Sequence, residues 1–273
     1  MSKEAPKLAE PLARELLALA HELADAAGEV SRRWFRTGLD ADDKADQSPV
    51  TRADREAEEA MRALLRAKAK GHGVIGEEHG AENAGADLVW VLDPIDGTKA
   101  FLAGKPLFTT LIGLLWEGRP VLGLIDQPVL RDRWSGAVGH GGRFNGAAAR
   151  TRACPGVASA RLSTTGPQYF TDAGRRAFDG VASRAKLLSY GGDGYQYGLV
   201  AGGSLDLVIE SGLALHDWAA VVAVVESAGG IATDWSGAPL RLADGKKSSG
   251  DVVAAGDARA HAEALALLGL AGP

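Results

Sequence analysis

The sequence predicts a layered α/β protein built as two fused lobes. Three observations carry that reading. Both ends show apolar residues at helical spacing, the middle is punctuated by short apolar runs of strand length, and no repeat, low-complexity tract or flexible linker interrupts them. With 273 residues, 46% of them hydrophobic, the chain can bury a large core. The expected organisation is a single domain over 1–273, with a first lobe over roughly 1–150 fused to a second over 151–273.

The elements follow in order. Leu8, Leu12, Leu16, Leu19, Leu23, Ala27, Val30 and Trp34 recur on one helical face, which predicts a long amphipathic first helix. The acidic stretch Asp40 to Asp46 reads as an exposed loop. A second helix is expected over 51–70, with Thr51 and Asp54 as an N-terminal capping pair, and Gly71-His72-Gly73 ends it. Val74-Ile75 is a short strand, and Leu88 to Leu92 a buried one. Phe108 to Trp116 and Val121 to Ile125, joined by Glu117-Gly118-Arg119-Pro120, predict a hairpin, continued by a strand near Arg133 to Val138. In the second half, Leu205 to Ile209 is strand-like, and Asp217 to Ala228 is an apolar helix stopped by Gly229-Gly230. Ile231 to Thr233 and Val252 to Ala255 are the final strands, before a terminal helix over Asp257 to Leu268.

Charge and cysteine usage narrow the function. A net charge of -5 without a basic block argues against nucleic acid or an anionic membrane as the main partner. The single cysteine, Cys154, fits a reducing compartment and reads as an inert thiol. The N-terminal 36 residues lack the apolar core of a signal peptide, and no stretch reaches the roughly 18 apolar residues of a membrane span, so a cytoplasmic location is expected.

The most informative segment is Asp93-Pro94-Ile95-Asp96-Gly97-Thr98, directly after the buried strand. Pro94 fixes φ and has no N–H, so the chain leaves the strand stiffly. A stiff loop can aim Asp93, Asp96 and the Ile95 carbonyl at one point. Oxygen ligands suit a hard cation such as Mg²⁺. Gly97 allows close backbone approach to a ligand, and Thr98 adds a hydroxyl. Further oxygens are available from Glu77, after the Val74-Ile75 strand, from Asp54, and from Asp217 in the first turn of its helix, where a plain helix cap is an equal reading. Such an acidic cluster needs two or three cations, and a pair about 3.5–4 Å apart can clamp a phosphoryl displacement. His79 and His216 lack ligand-spaced partners and read as packing residues or as supports behind the ligands. Other phosphatase designs fit worse: the spacing is Asp-x-x-Asp rather than Asp-x-Asp, and no Gly-x-Ser-x-Gly or Walker loop is present.

Glu77, Asp93 to Thr98, Asp217-Trp218-Ala219-Ala220 and the upstream Lys44-x-Asp46-x-Ser48-Pro49-Val50-Thr51-x-Ala53-Asp54 resemble, in order, the signature set of the inositol monophosphatase family. The resemblance implies a five-layered α/β/α/β/α sandwich and a Mg²⁺-dependent, lithium-sensitive phosphatase. It makes Glu77, Asp93, the Ile95 carbonyl, Asp96 and Asp217 metal ligands. Gly97 and Thr98 hold the phosphate through backbone N–H groups, and Thr98 and Asp54 position an activated water. Leu124 to Leu130 with Arg133-Trp134, Asp206 to Leu213, and Thr233-Asp234-Trp235-Ser236-Gly237 are similar to the histidinol-phosphate phosphatase branch. One departure stands out: the family usually has an aromatic residue before the helix aspartate, and here His216 takes that place.

The resulting expectation is a Mg²⁺-dependent phosphomonoesterase acting on L-histidinol phosphate in histidine biosynthesis, with two or three Mg²⁺ per site. Asp193 and Glu210 are expected to meet the cationic leaving group, although Asp193 also reads as a turn residue and Glu210 could bind a sugar or inositol hydroxyl. Rivals are the same chemistry on inositol phosphate, fructose 1,6-bisphosphate or a 3′-phosphonucleotide, and a transcription-associated binding role. A homodimer is expected by resemblance alone.

Overall fold

The computed structural model describes residues 7–37, 42–43, 49–50, 52–242 and 250–269. The chain opens with helix α1 (Glu10–Trp34), the two-residue strands β1 (Asp42–Asp43) and β2 (Pro49–Val50), and helix α2 (Arg52–Lys68). Strands β3 (Gly73–Gly76), β4 (Gly80–Glu82) and β5 (Leu88–Asp96) lead to the short helix α3 (Thr98–Leu102). Strands β6 (Thr109–Trp116), β7 (Arg119–Gln127), β8 (Asp132–Ala137), β9 (Gly141–Phe144) and β10 (Ala147–Ala149) follow as a meander. The second half holds β11 (Arg161–Thr164), α4 (Asp172–Ala182), β12 (Leu187–Tyr190), α5 (Asp193–Ala201) and β13 (Leu207–Glu210). It closes with α6 (Leu215–Ser227), β14 (Ile231–Thr233), β15 (Val252–Ala255) and α7 (Ala258–Gly269).

The strands form two main sheets. One has eight strands in the order β10-β9-β8-β7-β6-β5-β3-β4, antiparallel except where β3 runs parallel to β5. The other has five, ordered β12-β11-β13-β15-β14, with β11 parallel to both its neighbours. Three apolar clusters glue the layers together. Leu16, Leu23 and Ala27 of α1 and Met61 and Leu65 of α2 pack on Trp90, Ile112 and Leu122 of the larger sheet. Its other face contributes Val91, Leu111 and Ile125, which meet α5 and α6 and, beyond them, Val208 and Ala254 of the smaller sheet. Phe178 of α4 and Ala260 and Ala264 of α7 cover the far side of that sheet. The result is a helix–sheet–helix–sheet–helix sandwich, the five layers expected.

Helix α6 lies in the middle layer and is buried along most of its length. That explains why its sequence is apolar all round rather than amphipathic. The larger sheet receives it in a groove of glycines. Gly113, Gly123, Gly136 and Gly142 stand opposite one another on β6, β7, β8 and β9. A Cβ added at Gly123 would sit 2.1 Å from the Ala220 carbonyl oxygen, and one at Gly136 would sit 2.0 Å from Ser227 Oγ. Only bare backbone fits between sheet and helix there.

Predicted and observed elements agree closely, with instructive differences. The strand expected to end at Leu92 continues to Asp96. Pro94 does not break it, because the pairing with β6 skips between Asp93 and Asp96 and Thr110 Oγ1 donates to the Pro94 carbonyl at 2.8 Å. Within the acidic segment read as a loop, Asp42 and Asp43 instead pair with Val50 and Pro49. The proposed Thr51 cap and the Lys44, Asp46 and Ser48 positions of the upstream motif lie outside the described residues.

Candidate active site

The bulge at Pro94 turns both aspartates of β5 toward the start of α3. Ile95 keeps its side chain fully buried against Ala53, Phe101 and Phe108. Its carbonyl accepts from Thr98 Oγ1 at 3.2 Å. Gly97 sits at φ 83°, a left-handed conformation that glycine adopts freely. It has a second reason to lack a side chain, since a Cβ would approach Asp193 Oδ2 to 2.8 Å.

Asp217 arrives on the first turn of α6, where its Oδ2 accepts from the Ala214 N–H at 2.6 Å. It therefore serves as the helix cap and as a member of the cluster, which merges the two sequence readings. Oxygens from Asp93, Asp96 and Asp217 lie within 4.8 Å of one another, and so do ligand atoms of Glu77, Asp93 and His216. Asp96 is fixed by two donors to Oδ2: Thr109 Oγ1 at 3.1 Å and the Gly194 N–H at 2.5 Å. Asp54, buried on α2, stands near enough to oppose ionisation of Asp93.

So many carboxylates cannot all ionise comfortably. Burial, and then the neighbouring charges of Glu77, Asp96 and Asp217, hold the Asp93 carboxyl well above its ordinary range. Asp96 is pushed up in the same way by burial and by Asp193 and Asp217. Asp217 is raised chiefly by burial. Asp93 Oδ1 is buried with no hydrogen-bond partner among the described residues. An orphaned carboxylate oxygen among the carboxylates of Asp93, Asp96 and Asp217 is the kind of donor a hard divalent cation requires, so these residues fit Mg²⁺.

Two cavities flank the cluster. One, of about 170 Å³, is lined by Glu77, Asp93, Ile95, Asp96, Gly97, Thr98, Lys99, Tyr169, Asp193 and Asp217. The other, of about 190 Å³, reaches into the second half past Asp96, Asp193 and Asp217 to Thr165, Tyr169, Phe170, Tyr197, Glu210 and Leu213. The structure thus brings the sequence-selected residues to the walls of these two cavities, except Asp54, which lines neither and is linked to the cluster through its charge effect on Asp93. Asp193 opens α5 at φ 41° and lies against Gly97, which combines its turn and site readings. Burial raises its carboxyl to about 6. Glu210 is raised to about 7, again by burial, while it accepts from the Thr165 N–H at 3.0 Å and from Tyr197 OH at 2.8 Å.

The histidines divide. His216 Nε2 stands 3.7 Å from Asp217 Oδ1 and 4.0 Å from Glu77 Oε1, at the edge of the cluster. His79 is turned away, with Nε2 3.3 Å from the Arg55 carbonyl oxygen. Sequence reasoning missed Lys99 and Tyr169. Lys99 Nζ donates to Tyr169 OH at 2.8 Å across the mouth, and among the described residues it is the only Lys or Arg lining either cavity. Its place directly after Asp-Gly-Thr was the available signal.

Comparison with known proteins agrees with this architecture. The family model described as "Inositol monophosphatase family" matches residues 12–269. The bifunctional phosphatase IMPL2, chloroplastic, of Arabidopsis thaliana is 46% identical over 271 residues, covering 97% of this chain and 78% of that protein. A histidinol-phosphatase of Mycobacterium tuberculosis is 38% identical over 228 residues, covering 81% of this chain and 88% of its own. Among solved structures, an inositol monophosphatase from Zymomonas mobilis superposes with a TM-score of 0.85 at 45% identity, covering 94% of this chain and 98% of that one. The chain belongs to the inositol monophosphatase family, and its class is phosphatase. Among the described residues, no helix is long and apolar enough to cross a membrane.

Proposed function

We propose that the protein is a Mg²⁺-dependent phosphomonoesterase whose substrate is L-histidinol phosphate. The observation that carries the substrate is the cavity beside the acidic cluster. Asp193 and Glu210 stand in it next to Phe170 and Tyr169. Two carboxylates against aromatic surface suit a leaving group with a cationic amine and an imidazole. The name of one relative, the histidinol-phosphatase of Mycobacterium tuberculosis, supports the same branch.

Glu77, Asp93, the Ile95 carbonyl, Asp96 and Asp217 would hold the cations. When bound, Mg²⁺ supplies Lewis-acid stabilisation of phosphoryl charge and a more acidic water. The chain does the rest. Gly97 and Thr98 direct backbone N–H groups at the phosphate oxygens. The Thr98 hydroxyl, donating to the Ile95 carbonyl, keeps its lone pairs for an attacking water, which Asp54 helps to orient. Lys99 attracts the phosphate dianion into an otherwise acidic mouth. Attack is in line, and no side chain becomes phosphorylated. Action in histidine biosynthesis, a cytoplasmic location and a homodimer complete the reading.

One observation favours a second substrate, inositol 1-phosphate. Glu210, raised to about 7, is only about half ionised at pH 7, and a partly protonated carboxyl serves a ring hydroxyl as well as an amine. Phosphate release with Mg²⁺ separates the two. L-histidinol phosphate, inositol 1-phosphate, fructose 1,6-bisphosphate and 3′-phosphoadenosine 5′-phosphate would be compared by kcat/KM. A preference for histidinol phosphate supports the proposal, and a preference for another ester removes the histidine assignment but keeps the phosphatase.

A further inference from the structure

The turn that presents Glu77 is gripped from behind by a buried ion pair. Glu58 of α2 has no solvent exposure, and Arg62, one helical turn later, has 1%. Arg62 Nε donates to Glu58 Oε1 at 2.7 Å. The same carboxylate accepts two backbone N–H groups from the turn: Glu78 at 2.7 Å and His79 at 3.2 Å. Arg62 then reaches past the turn, to Glu82 Oε1 at 3.0 Å and to the Gly80 carbonyl. Gly76, at the near end of the turn, leaves the room. A Cβ there would sit 2.0 Å from Glu58 Oε1.

The burial of this pair is weak evidence that it stabilises helix α2. Burying two charges is costly, and apolar residues of similar volume commonly pack as well or better. What an apolar pair cannot do is hold two adjacent N–H groups in a fixed direction. That direction sets where Glu77 points, and ligand atoms of Glu77, Asp93 and His216 lie within 4.8 Å of one another. We propose that Glu58 is a positioning residue, which, clamped by Arg62, fixes the Glu78 and His79 N–H groups and so aims Glu77 at Asp93. The proposal rests on reading the cluster as a cation site.

Two variants test it. Glu58→Asp keeps the charge beside Arg62 but is one methylene too short to hold both N–H groups. Glu58→Gln with Arg62→Met removes both charges together, so no buried charge is left alone. Each would be titrated with Mg²⁺ in a calorimeter and melted in EDTA. The expected result is a cooperative melt in EDTA with a Mg²⁺ Kd raised about 10–100-fold, the range for residues that orient a ligand from behind. Activity should recover toward the wild-type kcat at high Mg²⁺, since Glu58 does not touch the reacting atoms. Folded variants with the wild-type Kd would overturn the role of Glu58 and leave the cation site standing. A wild-type protein that takes up no Mg²⁺ would instead overturn the cation reading, and this proposal with it.

Discussion

Replacing Gly123 by alanine tests the packing that places Asp217. Gly123 lies on β7 in the row of glycines beneath α6. The added Cβ would stand 2.1 Å from the Ala220 carbonyl oxygen and 3.1 Å from Val224 Cγ2. Ordinary contact begins near 3.4 Å, so strand and helix must separate by more than 1 Å. The obstruction is backbone on both sides, and no rotamer change can relieve it. Overpacking of a core costs about 1–3 kcal/mol, and this geometry belongs at the upper end. For a chain of this size about 3 kcal/mol lowers Tm by roughly 6–12 °C. Because α6 carries Asp217 at its first turn, phosphatase activity should fall as well, even below the melting transition. The assay is a thermal melt by circular dichroism, paired with Mg²⁺-dependent phosphate release. Gly180→Ala is the control, since among the described residues nothing beyond its own helix backbone and chain neighbours lies within 4 Å of the added Cβ. In α4 it should be neutral or stabilising by up to about 1 kcal/mol. A Gly123→Ala protein that melts within about 2 °C of the wild type would refute the argument.

Three other perturbations have defined outcomes. Asp96→Asn should lower turnover at least about 100-fold, more than is usual for a residue that merely supports a ligand, while the protein stays folded because one buried negative charge has gone. Glu226 is raised to about 7 by burial, so the folded protein prefers it neutral and loses stability as pH climbs from the ordinary carboxylate range through 7. Glu226→Gln should thus raise Tm at pH 8, by an amount equivalent to about 1–3 kcal/mol, and leave it nearly unchanged at pH 5; melts at the two pH values decide. Lys99→Met should raise KM for a phosphate ester several-fold with a smaller change in kcat. Since the Lys99 charge holds the Asp193 carboxyl down, the acid limb of kcat/KM should also move to higher pH in that variant, which a pH–rate profile would read.

Much of this architecture is legible in the sequence, and what is hidden has a physical reason. Apolar runs between turn signals reveal β6 and β7, because local pattern alone makes them strands. The cluster residues announce themselves through strand-end aspartates and a glycine. The last residues of β5 are hidden, because a proline inside a strand reads as its end, and only the register shift against β6 shows otherwise. Glu58 and Arg62 are hidden too, since Glu and Arg four apart on a helix look like a solvated pair. The glycine row lies deepest of all. Its four members are scattered along four strands and become a groove only once the strands are in register.

The burial of α6 between the two sheets also bears on the order in which the protein is made. Asp217 follows Asp96 by about 120 residues, and bringing such distant segments together is the slow part of folding. While the chain emerges from the ribosome, the larger sheet can form with its glycine trough still open. The second sheet requires β13, β14 and β15, which flank α6 in sequence, so helix and sheet must settle together. A nascent chain consequently has no complete acidic cluster, and truncated products ending before α6 carry an uncovered apolar face. Quality control can recognise such a chain by that face, long before it could act on any metabolite.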